Sequence, residues 1–227
     1  MDSQPSLVLN PVGSPVQSVR VDNDLFADVW EWELGNVLNT GNHAFFGLNM
    51  SQSPYAPSKL NQLMAAARPA RIIEIGAGNG GLTVLFALYA RINGASLYAY
   101  DKTAGKHADL LRLLGSAVIL KDALEDPVTV EEIRSLVRAE GRTIIFCDAG
   151  KALEFNLYAP SMKEGDIILM HDFSPTHETF KADMEGQRWN WHEAWYERVA
   201  ETCNKCNIVH SPYFNDVAWS CGIKVSS

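Results

Sequence analysis

The stretch Arg71-Ile-Ile-Glu-Ile-Gly-Ala-Gly-Asn-Gly-Gly81, followed by Leu97-Tyr-Ala-Tyr-Asp101, decides the fold of this chain. Its apolar run predicts a buried parallel strand over residues 72–76, which ends in glycines that let the backbone turn sharply and approach a ligand. A helix that starts near Gly80 would point its unsatisfied N–H groups at that ligand. The second apolar strand ends in Asp101, where a carboxylate can accept hydrogen bonds from ribose hydroxyls. The pattern therefore predicts a site for a nucleotide-like cofactor.

The glycine spacing alone leaves the cofactor open. Gly76, Gly78 and Gly80 fit the pattern G-x-G-x-G. The set Gly76, Gly78 and Gly81 fits the dinucleotide fingerprint G-x-G-x-x-G equally well. Glu74 distinguishes the two, because a carboxylate at the strand tip would repel the diphosphate of NAD and attract the sulfonium and ammonium groups of S-adenosylmethionine. The sequence therefore favours S-adenosylmethionine, with an NAD-dependent oxidoreductase as the alternative.

The predicted cofactor-binding residues lie in the glycine turn and at the ends of the following strands. Asp122-Ala123 follows the third strand and would lie beside the adenine, although Asp122 could equally cap a helix. The full predicted set is Glu74, Gly76, Ala77, Gly78, Gly80, Asp101, Lys102, Asp122, Ala123 and Asp148.

Composition is that of an ordinary globular protein. The chain has 227 residues, 47% of them hydrophobic, which suits one α/β domain over residues 51–227 after an N-terminal arm and helix over residues 1–50. The net charge of −8 and the scattered basic residues argue against a nucleic-acid partner. The apolar runs are too short to span a bilayer, and Met1-Asp-Ser-Gln-Pro5 lacks the pattern of a secretion signal, so a cytoplasmic location is expected. Trp30 and Trp32 in the arm predict self-association into a homo-oligomer.

Strands and helices alternate from residue 72 onward. This alternation predicts an α/β fold with an open, doubly wound, mostly parallel Rossmann-like sheet, helices on both faces and an antiparallel C-terminal strand. Ser58 and Thr129 are the predicted N-caps of their helices, and Trp191 and Trp195 would share one face of the last helix. The predicted strands are 72–76, 96–101, 117–120, 143–148, 166–171, 207–210 and 217–225, and the predicted helices are 58–68, 80–92, 104–114, 129–140, 152–160 and 177–200.

Acidic residues and a histidine follow two neighbouring strands of the predicted sheet. Asp148 ends one buried strand and His171-Asp172 ends the next, at the edge where α/β sheets bind ligands. Two carboxylates, an imidazole and waters suit Mg²⁺ or Mn²⁺, which would ease the loss of a proton from a bound hydroxyl. Lys151 is then the predicted general base. The alternative is that Asp148 caps the next helix and Lys151 is a solvated surface charge.

Several of these segments resemble O-methyltransferases. Glu74-Ile-Gly-Ala-Gly-Asn-Gly80 is similar to the first motif of the class I S-adenosylmethionine-dependent methyltransferases. Phe146-Cys-Asp-Ala-Gly-Lys151 and Gly165-Asp-Ile-Ile-Leu-Met-His-Asp172 look like the small magnesium-dependent enzymes such as catechol O-methyltransferase. Phe46-Gly-Leu-Asn-Met-Ser-Gln-Ser-Pro54 resembles the cephalosporin-hydroxylase and rhamnosyl O-methyltransferase branch. The resemblance implies methyl transfer to a hydroxyl of a sugar, a phenol or a natural-product scaffold.

The resemblance also implies the roles of the strand-end residues. The implied metal ligands are Asp148, His171 and Asp172, and the implied catalytic residues are Lys151, Asp148 and His171. His171 stands where these families usually carry an acid, so catalysis with His171 as the base, or a non-catalytic cofactor-binding protein, stay open. Trp189, Trp191 and Trp195 would form either a wall of the acceptor pocket or a packing stripe.

Overall fold

The computed structural model describes residues 44–45, 48–50, 52–53, 55–103, 112, 115, 118–185 and 194–226. Residues 1–43, which contain Trp30 and Trp32 and most of the predicted N-terminal arm and helix, lie outside these residues, as does nearly all of the predicted helix 104–114. Residues 44–45 and 48–49 form a short antiparallel pair. No helix in the described part of the chain is both long enough and apolar enough to cross a lipid bilayer.

Eleven strands and six α-helices make up the described structure. The strands are β1 (Ala44–Phe45), β2 (Leu48–Asn49), β3 (Arg71–Ile75), β4 (Ser96–Asp101), β5 (Val118–Leu120), β6 (Thr143–Cys147), β7 (Ile167–His171), β8 (Phe173–Ser174), β9 (Ala194–Trp195), β10 (Ile208–His210) and β11 (Trp219–Lys224). The helices are α1 (Ala56–Ala67), α2 (Gly81–Asn93), α3 (Pro127–Arg138), α4 (Ala152–Tyr158), α5 (His177–Glu185) and α6 (Ala200–Lys205). Short 3₁₀ turns follow at Ala159–Ser161, Tyr196–Arg198 and Pro212–Val217.

Seven of the strands form one sheet in the order β10-β11-β7-β6-β3-β4-β5. The five strands from β7 to β5 are parallel, and β11 runs antiparallel to both of its neighbours. This confirms the predicted mostly parallel sheet with an antiparallel C-terminal strand. Strand order reverses at β3, which pairs with β4 on one side and with β6 on the other. A cleft therefore opens at the carboxyl ends of β3 and β6.

The central strands are buried on both faces, which explains their unbroken apolar sequences. All five residues of β6 and of β7 are buried, and an apolar cluster covers each face of the sheet. On one face, Phe86 of α2 stacks on Phe146 of β6 with ring centroids 4.2 Å apart. This packing holds the ends of β3, β6 and β7 in fixed positions relative to one another.

Two helix starts differ from the sequence prediction. The first helix begins at Ala56 rather than Ser58, and no side chain caps it. The helix predicted from residue 129 begins at Pro127, and its cap is Asp126, whose carboxylate accepts hydrogen bonds from the N–H groups of Val128 and Thr129. In both helices a proline lies in the first turn, where its fixed φ and missing N–H cost nothing. Proline therefore set the start of these helices, and the predicted caps at Ser58 and Thr129 are wrong.

The predicted helix 177–200 is wrong from residue 194 onward, and residues 186–193 lie outside the described residues. Helix α5 ends at Glu185, and Ala194–Trp195 form a strand that pairs with β8. The N–H of Ala194 donates to the carbonyl of Asp172, which ties this segment to the end of β7. Trp195 therefore lies on a strand and cannot share a helix face with Trp191, which is outside the described residues.

Candidate functional site

The glycine turn after β3 is held against the neighbouring strands. The N–H groups of Gly76 and Ala77 donate to the carbonyl of Tyr100, at 2.9 and 3.3 Å. A Cβ atom at Gly76 would lie 2.7 Å from the carbonyl carbon of Asp148, and the φ of Gly76 is +94°. Glycine is thus required here both by conformation and by contact. Gly78, with φ of +52°, has open space where its Cβ would be.

Asp101, at the end of β4, fixes the far side of this turn. Its Oδ2 accepts a hydrogen bond from the N–H of Gly78 at 2.8 Å, and its Oδ1 accepts from the N–H and hydroxyl of Thr103 at 2.9 and 3.1 Å. Oδ2 accepts only one of these bonds and has a further lone pair, so it can also accept a bond from a ribose hydroxyl.

A cavity of about 350 Å³ lies beside the turn, within the range of small-ligand sites. Five predicted cofactor residues line it, namely Gly76, Asp101, Lys102, Asp122 and Ala123. Of the other predicted residues, Ala77, Gly78 and Gly80 lie in the adjoining turn, Glu74 lies within β3, and Asp148 precedes the lining residues Ala149 and Gly150. The lining residues that sequence reasoning missed are Ile75, Tyr100, Lys121, Leu124, Ala149, Gly150 and Glu154.

An ion pair between Lys102 and Asp122 lies at the edge of this cavity, with Nζ and Oδ2 2.8 Å apart. The other oxygen of Asp122 accepts hydrogen bonds from the N–H groups of Leu124 and Glu125, both at 2.9 Å. The Lys102 bond and these two backbone bonds lower the pKa of Asp122 to about 2. Asp122 therefore caps a turn and lines the cavity at once, while Asp126 is the helix cap.

Glu154, on α4, is a buried acid that the sequence did not single out. Its Oε1 accepts a hydrogen bond from the N–H of Gly150 at 2.7 Å. Burial raises the pKa of its carboxyl to about 7, against the opposing effect of the backbone bonds. Glu154 thus fastens the loop after β6 to the next helix.

Glu74 lies beneath the glycine turn and is only 1% exposed. Burial raises the pKa of Glu74 to about 8, so its carboxyl is mainly protonated at neutral pH unless a cation is nearby. Its Oε2 has no hydrogen-bond partner among the described residues. An unpaired buried oxygen below an open glycine turn fits a ligand that brings positive charge, as S-adenosylmethionine does.

The acids and the histidine that follow β6 and β7 come together as predicted from their positions on the strands. Ligand atoms of Asp148, His171 and Asp172 all lie within 4.8 Å of one another. The Nδ1 of His171 is 2.9 Å from Oδ1 of Asp148 and 3.5 Å from Oδ1 of Asp172. Burial pushes the pKa of His171 down, but the two carboxylates outweigh it and the pKa is raised. Burial also raises the pKa of Asp172, although His171 and Lys151 oppose the change.

Lys151 lies beside these three residues. We call Asp148, Lys151, His171 and Asp172 together the acidic cluster. Its Nζ lies 3.2 Å from Oδ2 of Asp172 and 3.7 Å from Oδ1 of Asp148. The Lys151 side chain is only 12% exposed, so the alternative of a solvated surface charge does not describe it. Lys151 and Asp172 both have positive φ, +49° and +52°, which is a strained conformation for residues with a Cβ.

Gln52 and Trp219 support the acidic cluster, and neither was predicted from the sequence. The Oε1 of Gln52 accepts a hydrogen bond from Nε1 of Trp219 at 2.6 Å, which turns its Nε2 towards Asp148 at 3.3 Å. The Trp219 ring packs on the imidazole of His171, with centroids 4.7 Å apart. Both side chains are buried, so they fix the position of His171.

The donor set of the acidic cluster fits a divalent cation. Two carboxylates and one imidazole are ligands that Mg²⁺ or Mn²⁺ accepts, and Lys151 already puts a positive charge beside both carboxylates. These residues would hold the ion directly, next to the loop that borders the cavity.

Comparison with known proteins supports the fold. No family model matches the chain, and no curated protein matches it significantly. Among solved structures, CmcI without ligand is 18% identical, with a TM-score of 0.59 over 98% of this chain and 89% of that one. CmcI with Mg and SAM is 15% identical, with a TM-score of 0.56 over 81% and 77%. A putative caffeoyl-CoA O-methyltransferase from Staphylococcus aureus is 13% identical, with a TM-score of 0.53 over 89% and 99%. The chain therefore has the Rossmann-like fold of the class I S-adenosylmethionine-dependent O-methyltransferases.

Proposed function

We propose that this protein transfers a methyl group from S-adenosylmethionine to a hydroxyl group of a small molecule, with the help of a divalent cation. The acceptor classes that the sequence resemblance implies are sugars, phenols and natural-product scaffolds. The fold comparison, the glycine turn and the acidic cluster all support this proposal.

One observation carries the proposal: a single loop after β6 borders both parts of the site. Ala149 and Gly150 line the cavity beside the glycine turn, while the side chain of Asp148 belongs to the acidic cluster. The backbone of Asp148 also packs directly against Gly76. A methyl donor in the cavity and a hydroxyl at the cluster would therefore be neighbours, as in-line methyl transfer requires.

The residues at the cofactor end have separate tasks. S-adenosylmethionine supplies the methyl group on a positively charged sulfur. Asp101 would accept bonds from the ribose hydroxyls, and the Lys102–Asp122 pair would border the adenosine. Glu74 would balance the positive charge of the methionine end once its buried carboxyl ionises. When it is ionised, the same acid would disfavour the diphosphate of NAD.

The residues at the acceptor end would hold the cation and handle the proton. Asp148, His171 and Asp172 are the proposed ligands, and a divalent cation there makes a bound hydroxyl more acidic. Lys151 is the proposed general base. Because its Nζ contacts both carboxylates as an ammonium, Lys151 has to leave them and lose its own proton before it can accept one from the acceptor hydroxyl.

Calorimetric titration with S-adenosylmethionine tests the cofactor assignment. We expect the wild-type protein to bind it and Asp101→Asn to bind it at least about tenfold more weakly, since one acceptor oxygen becomes a donor. Asp216→Asn is the control, because Asp216 is exposed on a 3₁₀ turn and pairs with Lys59. Absence of binding, or tighter binding of NAD, would reject the proposal.

Turnover assays test the reaction and the cation separately. Formation of S-adenosylhomocysteine with a panel of phenols and sugars would establish methyl transfer, and binding without turnover across the panel would favour a non-catalytic protein. We expect EDTA to abolish turnover and Mg²⁺ or Mn²⁺ to restore it. Turnover that is insensitive to EDTA would leave the methyltransferase proposal intact and would rule out a catalytic role for the cation. The cytoplasmic location and the self-association inferred from the sequence stay predictions.

A further inference from the structure

We propose that Lys151 is a built-in competitor of the divalent cation, whose ammonium group occupies the place between Asp148 and Asp172 and must leave before the ion binds. This inference rests on the cation site of the proposed function and assigns a second role to one of its residues. Lys151 would thereby set how tightly the cluster binds metal.

The distances support direct competition. The ammonium nitrogen lies 3.2 Å from a carboxylate oxygen of Asp172 and 3.7 Å from one of Asp148. A divalent ion bound by these oxygens would lie about 2 to 2.5 Å from each of them. The ion and the ammonium would then be a few ångströms apart at most. Two cations at that separation repel each other strongly in a partly buried site.

The backbone of Lys151 restricts how its side chain can give way. The carbonyl of Lys151 accepts the hydrogen bond from the N–H of Phe155 at 2.9 Å, at the start of α4. The φ of +49° also fixes the direction in which the side chain leaves the backbone. Displacement therefore has to come from rotation of the side chain.

The charges of the acidic cluster explain what the competition achieves. Without a cationic partner, Asp148 and Asp172 would be two partly buried carboxylates a few ångströms apart, with side chains only 18% and 16% exposed. Such a pair is costly, and the lysine charge offsets part of that cost. The same charge weakens metal binding, because the ion has to replace an interaction that the protein already makes.

Binding of Mn²⁺, measured by electron paramagnetic resonance at one fixed pH, tests this directly without an activity assay. The variants are Lys151→Gln, which removes the charge, and Lys151→Arg, which keeps it. Lys59→Gln removes a charge from the ion pair with Asp216, which is not part of the acidic cluster, and serves as the matched control. Lys151→Met is a second neutral variant in case the glutamine variant does not fold, and circular dichroism verifies folding.

We expect both neutral variants to bind Mn²⁺ at least about tenfold more tightly than the wild type, with Lys151→Arg and Lys59→Gln within about twofold of it. Equal or weaker binding by the neutral variants, while the wild type binds Mn²⁺, would overturn the competition and leave the cation site intact. If no variant binds Mn²⁺ at millimolar concentration, both the competition and the cation site fail. Titration with S-adenosylmethionine then shows whether the cofactor assignment survives.

Discussion

The buried carboxyl of Glu74 makes the stability of the protein depend on pH in a predictable way. Its pKa is about 8 in the folded chain against an ordinary value of 4.5, and this gap corresponds to about 5 kcal/mol at about 1.4 kcal/mol per pKa unit. Because the folded state disfavours the charged form, the penalty is absent below about pH 4.5, grows up to about pH 8 and is complete above it. Glu74→Gln, which mimics the protonated acid, should therefore be more stable than the wild type, and increasingly so as pH rises.

The free energy of unfolding in urea, measured without cofactor, checks this reasoning. We expect the advantage of Glu74→Gln to grow by about 3 kcal/mol between about pH 5.5 and pH 8.5. Glu164→Gln is the matched control, because Glu164 is exposed and its replacement should give a constant difference. A difference for Glu74→Gln that also stays constant with pH would mean that Glu74 is ionised in the folded protein. The electrostatic account of this site would then be wrong.

Three further predictions concern the same region. Binding of S-adenosylmethionine near pH 7 should release up to about one proton from Glu74. Calorimetric titrations in buffers of different ionisation heat would detect this proton, and binding without proton release would contradict an ionisation coupled to binding. Gly76→Ala should lower the free energy of unfolding by at least about 2 kcal/mol more than Gly78→Ala, because only the first Cβ meets backbone atoms. Equal losses of unfolding free energy in the two variants, measured in urea, would refute that contact. Trp219→Phe should cost about 2 to 4 kcal/mol, since it leaves a void and an unpaired oxygen on Gln52, and a loss below about 1 kcal/mol would argue against the hydrogen bond.

The sequence predicted those parts of the site that depend on strand ends. Parallel strands buried on both faces have continuous apolar runs, so their ends could be located from Ile75, Asp101 and Cys147 to within about one residue. Parallel strand ends meet at one edge, which is why the positions of Asp148 and His171 on neighbouring strands were enough to predict that they converge. The resemblance to class I methyltransferases is confirmed at the level of the fold.

The rest of the site depends on contacts between residues far apart in the sequence. Gln52 and Trp219 are 167 positions apart, and no local pattern indicates that they meet beneath His171. Burial of Glu154 likewise follows from how α4 packs, which periodicity does not specify. The helix predicted over residues 177–200 failed because Ala194 satisfies its N–H with Asp172 at the sheet edge, and such tertiary pairing overrides local helical propensity.

The left-handed backbone at Lys151 and Asp172 has a practical consequence for engineering. Glycine at either position would relieve about 1 kcal/mol or more of conformational strain. At position 172 it would also remove one of the two crowded carboxylates, whereas at position 151 it would remove the charge that offsets them, so a directed-evolution screen for heat tolerance alone would favour glycine in place of Asp172. Each such success would delete one side chain from the acidic cluster. Variants selected for heat tolerance alone should therefore lose activity first through replacement of Asp172, unless the screen also selects for turnover.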